Sequence, residues 1–306
     1  MRIVLIENFR AVFYAPFYAA IALRAYEAEG VEVELKLSDD PERTAASLMA
    51  GAGEVSWGGP IRLMLMRQRD PAADVVAFCE AIGRDPFFLL GREPRPAFRL
   101  ADLQSVRLAT VTEVPTPWMC LQHDLRLAGI DPARIERSAE RSMAENVAAL
   151  RAGTVDAIQV FQPYASTLTR QGAAHVWYAA ARRGLTSYTT LNATRGFLER
   201  NPEAALKMCR AMYRTLKWIH AHTAADLAGA TAGYFPEIPQ PALAACYADY
   251  LALGLWNRTP VLERAGFDWL RDAGLSSGLI QRNYSFEDCV DMRFAEQALR
   301  EDPPGA

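Results

Sequence analysis

Lysine is nearly missing from this 306-residue chain: Lys36, Lys207 and Lys217 are the only three, and none falls at a strand-to-helix turn where a cofactor aldehyde could be held as a Schiff base. The five cysteines, Cys79, Cys120, Cys209, Cys246 and Cys289, lie far apart with no C-x-x-C pair. That excludes a zinc knuckle and a disulfide framework and leaves buried free thiols as the expected state. No apolar run approaches 18 residues, so no transmembrane helix is expected. The net charge is −3, without a block of like charges, which argues against nucleic acid and anionic membrane surfaces as partners. The Gly-x-Ser-x-Gly elbow, the P-loop and the HExxH motif are all absent. His220 and His222 are two residues apart and on different helix faces, and His123 and His175 lie elsewhere, so no shared metal is expected. The chain opens directly on a strand, without the basic segment, apolar core and small-residue cleavage site of a secretory signal. The expectation is a cytoplasmic protein, or an exported one whose chain here starts at a new Met1.

What is present is an ordinary globular composition, 51% hydrophobic and 23% charged, at a length suited to two domains or to one with a large insertion. The opening stretch sets the pattern. Ile3, Val4, Leu5 and Ile6 form a continuous apolar run, as a strand covered on both faces would. Glu7, Asn8, Phe9 and Arg10 break it. Phe13, Phe17 and Ile21 then recur at helical spacing beside a second row of Tyr14, Tyr18, Ala22 and Tyr26, predicting a helix buried on most sides. Gly30 suits a helix C′ position, and Val31, Val33, Leu35 and Leu37 alternate with polar residues as a half-buried strand. In such a β-α-β unit the residues just past the first strand lie at the carboxyl edge of the sheet, where open α/β sheets bind ligands. Asn8, Phe9 and Tyr14 are therefore candidate contacts.

Further along, Asp40-Pro41-Glu42 starts a helix to Gly51, and Val55-Ser56-Trp57 is a short strand running into Gly58-Gly59-Pro60. Paired glycines ahead of a proline-started helix let backbone N–H groups approach a ligand closely. Strands are predicted over 74–82 and 86–90, with Glu80 at their junction, and Gly91 to Pro96 reads as a linker. A second run of the same rhythm follows, with strands near 106–111, 135–138, 155–161 and 176–178 and a capping box at Ser142 to Glu145. The run 187–192 is β-prone. Helices are predicted beyond it, over 202–221, 225–234, 242–253 and 267–274, packed on the first domain.

The order of these features resembles the NMT1/THI5-like family of binding proteins, related to nitrate, taurine and thiamin-pyrimidine uptake. Asn8 with Tyr14-Ala15-Pro16, Glu29 to Val33, Leu48 to Gly51, Leu100 to Leu103, Ala128 to Pro132, Ala148 to Ala157 and Asn201-Pro202 carry the resemblance, the Ala148 to Ala157 string most specifically. It implies an α/β, type II periplasmic-binding-protein fold, with residues 1–93 and 189–306 in one lobe, 94–188 in the other, and hinge crossings near Pro94 and Thr186. It also implies a solute held between closing lobes, an ABC permease as partner, a periplasmic location and a monomer, with no cofactor and no covalent chemistry. Asn8, Phe9, Tyr14, Trp57, Gly58, Gly59 and Glu80 would serve the site from the first lobe. Thr112, Glu113, Thr116, Phe161, Gln162 and Tyr164 would serve it from the second, with Tyr188 near the hinge.

Relatives that carry sulfonate or nitrate need small hydroxyls and free N–H groups at the second-lobe helix N-terminus. Here that turn holds Glu113, Pro115 and Pro117, a carboxylate that repels anions and two prolines that each remove a donor. The expectation is a planar, neutral or cationic heterocycle, such as a thiamin-pyrimidine precursor, stacked on aromatics such as Trp57, Phe9 or Tyr164. A ligand-sensing module of the same fold, a pyrimidine-synthase-like enzyme and a sulfonate- or nitrate-type binding protein stand as alternatives.

Overall fold

Two five-stranded sheets organise the computed structural model, which describes residues 1–306. Its strands are β1 (Arg2–Glu7), β2 (Glu32–Leu37), β3 (Val55–Gly58), β4 (Val75–Ile82), β5 (Phe88–Gly91), β6 (Leu108–Ala109), β7 (Arg137–Ser138), β8 (Ala157–Val160), β9 (His175–Ala179) and β10 (Thr189–Thr194). They pair in the orders β2-β1-β3-β10-β4 and β7-β6-β8-β5-β9. The neighbours of β1 are parallel to it, as are those of β6. β10 runs antiparallel to β3 and β4, and β5 antiparallel to β8 and β9. These reversals share a cause. A chain leaving the carboxyl edge of one sheet enters the other sheet at its carboxyl edge, so the arriving strand must run back against the parallel strands.

This topology moves the first crossing. The linker expected near Pro94 would leave residues up to 93 in the first lobe, but β5 hydrogen-bonds in the second sheet and the chain passes between sheets at 83–87. An apolar run such as Phe87 to Leu90 reads the same in either sheet, whereas the polar 91–96 stretch is a surface turn. The return passes through Ala180–Arg183 and Thr186 into β10. Buried Arg183 ties the two crossings together: its Nη1 lies 2.6 Å from Asp85 on the first, and its Nε donates to Asp124 of the second lobe at 2.9 Å. The Trp269 ring lies 5.0 Å from its guanidinium.

The opening unit forms for the reasons its pattern implies. Ile3, Leu5 and Ile6 are buried, and Phe13, Tyr14, Phe17, Tyr18 and Tyr26 are all within the core. One difference is local: Arg24 adopts the left-handed region (φ 55°), which splits the expected single helix into Ala15–Ala22 and Ala25–Ala28. Gly30 takes φ 76°, as a residue closing a helix does. The capping box at Ser142 is formed, Ser142 N donating to Glu145 Oε2 at 2.8 Å. The predicted helix over 202–221 is Pro202–Ala221, packed on β4 and the Ala15–Ala22 helix. The later helices depart from the expectation that all sit on the first lobe alone. Gln240–Ala252 also meets the Tyr164–Arg170 helix, where Asp249 accepts from Gln162 Nε2 at 2.8 Å and Ser166 Oγ at 2.7 Å. Arg264–Ser277 meets the Thr116–Leu127 helix, with His123 Nδ1 2.9 Å from Ser276 Oγ.

Candidate functional site: the interlobe cleft

Between the two sheets, the carboxyl ends of β1, β3 and β6 face one another, and three chambers follow the seam. The central one holds only about 30 Å³ and lies among Asn8, Phe9, Phe13, Tyr14, Gly59, Arg62, Phe87, Thr116 and Tyr188. To one side opens a chamber of about 1060 Å³ between the Thr44–Met49 and Pro60–Arg69 helices and the start of the Thr116–Leu127 helix. To the other side lies a chamber of about 580 Å³, largely apolar, among Phe9, Val12, Met143, Phe161, Tyr164 and Phe235. Val114 borders all three.

Each expected contact has a definite place. Asn8, Phe9, Tyr14, Gly59, Thr116 and Tyr188 meet at the central chamber. Asn8 donates to Tyr14 Oη at 3.5 Å and accepts from Thr44 Oγ1 at 3.0 Å, so its amide orients the Tyr14 hydroxyl. Burial pushes the Tyr14 hydroxyl up to about 12. Gly59 is required there: a Cβ would stand 3.0 Å from Tyr188 O. Thr112 and Thr116 border the large chamber, and Glu113, Phe161, Gln162 and Tyr164 the apolar one.

Trp57, Gly58 and Glu80 border none of these chambers. Trp57 is fully buried and stacks on Phe17 with centroids 4.8 Å apart, because position 57 of β3 turns its side chain under the aromatic rows. Gly58 closes the strand, its carbonyl accepting from Thr190 Oγ1 at 3.2 Å. Glu80 lies under the hinge against Asn257, 2.8 Å away, and burial pushes its carboxyl up to about 8. Gln162 reaches the apolar chamber with its flank only, its amide being engaged by Asp249.

The charge distribution also differs from expectation. Glu113 accepts the Met143 N–H at 2.8 Å, so its carboxylate serves the N-terminus of the Met143–Arg151 helix and faces the apolar chamber. No acidic residue borders the central chamber. Arg62, unforeseen, borders both it and the large one, and its side chain makes no ion pair or hydrogen bond. The local signal was available. Arg62 is the third residue of the Pro60–Arg69 helix, and a cation in a first turn opposes the helix dipole unless an anion is present. Phe13 and Phe87, also in the central lining, carried no such signal, since a buried phenylalanine reads as core.

Two α/β lobes joined by two crossings, each sheet receiving one antiparallel strand from the other half, define a type II periplasmic-binding-protein fold. The chain belongs to the NMT1/THI5-like family, whose description matches residues 13–239. It is 23% identical over 297 residues to the protein YtlA of Bacillus subtilis (strain 168), covering 96% of this chain and 89% of that one. Its fold is similar to that of the periplasmic aliphatic sulphonate binding protein SsuA from Escherichia coli, with a TM-score of 0.76, 17% identity and coverage of 95% and 96%. It is similar also to DSZB bound to biphenyl-2-sulfinic acid, with a TM-score of 0.70, 15% identity and coverage of 97% and 99%. No helix is long and apolar enough to cross a membrane.

Proposed function

We propose that this protein is the solute-binding component of an ABC-type uptake system and captures an organic oxyanion, a sulfonate or related sulfur oxyacid on an apolar body, by closure of its two lobes. Delivery to a permease and a periplasmic location belong to the same reading. The observation that carries it is Arg62: a half-buried guanidinium without a protein partner, in the first turn of a helix whose N-terminus meets the cleft. An oxyanion there satisfies both the guanidinium and the helix N-terminus. Ile61, Leu65, Met66 and Met119 beside it supply apolar surface for the body of the solute. A cationic heterocycle would need the Glu113 carboxylate, which the Met143 N–H occupies.

The reading is of a binder rather than a catalyst. The linings of the three chambers contain no cysteine, histidine or lysine to act as a nucleophile or Schiff-base amine. Titration calorimetry with alkanesulfonates, benzenesulfonate and an aminopyrimidine tests it. Sulfonates are expected to bind. Arg62→Gln is expected to weaken them by about tenfold to a hundredfold, the worth of one charge-assisted hydrogen bond of about 1.5–3 kcal/mol. Aminopyrimidine binding together with sulfonate indifference overturns the proposal.

A further inference from the structure

The large chamber carries more positive charge than one acidic group needs. Besides Arg62, its lining includes Arg43 on the lobe's third helix, Arg69 at the far end of the helix that begins at Pro60, and Arg137 on β7 of the opposite lobe. None of the four is paired with a carboxylate or accepted by any protein oxygen. Two acids, Glu42 and Asp70, also line the chamber, but Asp70 Oδ1 is engaged by the Ala72 N–H at 3.0 Å, and the guanidiniums remain in excess. Arg137 is held in place all the same: its guanidinium lies 4.5 Å from the centroid of the Trp118 ring, itself in the first turn of the second-lobe helix. A cation fixed over an indole face keeps its N–H edge free for an acceptor.

We propose that the solute carries a second acidic group, held at the mouth of the large chamber by Arg137 over Trp118, while its first acidic group sits at Arg62. This rests on the oxyanion reading and narrows its substrate class to dianions with an apolar spacer. The arrangement has a consequence for closure. Arg62 belongs to one lobe and Arg137 to the other, so a dianion bonds to both and holds them together, whereas a monoanion engages a guanidinium of one lobe only. Arg43 and Arg69 add to the field at the rim and shift it further toward anions.

The test compares benzenesulfonate with benzene-1,3-disulfonate and biphenyl-4,4′-disulfonate by titration calorimetry on the whole protein and on Arg137→Gln. At least one disulfonate is expected to bind about tenfold tighter than benzenesulfonate, as a further charge-assisted hydrogen bond gives. In Arg137→Gln that advantage should vanish. Arg69→Gln serves as the second variant, with a smaller loss of the same advantage. Equal affinity of the wild type for all three probes, or an Arg137→Gln effect identical for mono- and disulfonates, overturns the inference while leaving the oxyanion reading intact. Failure of every sulfonate to bind removes both.

Discussion

Glu80 offers a test that needs no ligand. It sits on β4 beneath the hinge, 2% exposed, with Oε2 2.8 Å from Asn257 Nδ2 and Oε1 without a partner. Burial, and to a lesser degree the charge of Glu263, raises its carboxyl from an ordinary 4.5 to about 8. The folded chain therefore holds this proton more tightly than the unfolded chain does, and stability falls as pH rises. The contribution is fully present below pH 4.5 and is lost progressively up to pH 8. At about 1.4 kcal/mol per unit, a rise from 4.5 to about 8 amounts to at most about 5 kcal/mol. Glu80→Gln removes the titration. It keeps an acceptor for Asn257 but places an amide N–H where Oε1 has no partner, at a cost of about 1–2 kcal/mol. Urea denaturation at pH 5, 7 and 9 should thus show the wild type more stable at pH 5 and the variant more stable at pH 9, with unchanged slopes against denaturant. Parallel stability curves across that range would refute the reasoning, because they would mean that Glu80 reaches water in the folded state.

Two further substitutions separate structure from binding. Glu113→Gln should lower stability by less than about 1 kcal/mol, the loss of a charge at a helix N-terminus, and leave sulfonate affinity unaltered by calorimetry. A large loss of affinity for any solute would return Glu113 to the site. Arg183→Met should destabilise the protein by about 3–5 kcal/mol in denaturant titrations, because Asp85 and Asp124 are left buried without their cation. No change would mean that those carboxylates draw on solvent instead.

The parts of this molecule that could be read directly are those in which neighbours along the chain determine the outcome. The apolar run at β1, the double aromatic row, the Gly30 termination, the Ser142 capping box and the helix from Pro202 to Ala221 all depend on local periodicity or on hydrogen bonds spanning a few residues. Asn8, Phe9, Tyr14, Gly59, Thr116 and Tyr188 could be placed at the cleft because a strand's carboxyl end delivers the residues after it to the sheet edge. Trp57 shows the boundary of that logic. It ends a strand at the same edge, but the pleat sends alternate side chains to opposite faces, and Phe17 is already on the face it meets.

What the amino-acid order determined by itself is the β/α rhythm, the family and the stretches that reach the cleft, since each depends on contacts between residues close in sequence. Tertiary structure alone decided which sheet Phe88–Gly91 joins, that Gln162 and Glu113 spend their polar groups on Asp249 and Met143, and that Arg62 is left unpaired between the lobes. The physical reason is common to all of these. A hydrogen bond or ion pair depends on which groups meet across the fold, and partners such as Gln162 and Asp249 are many residues apart along the chain.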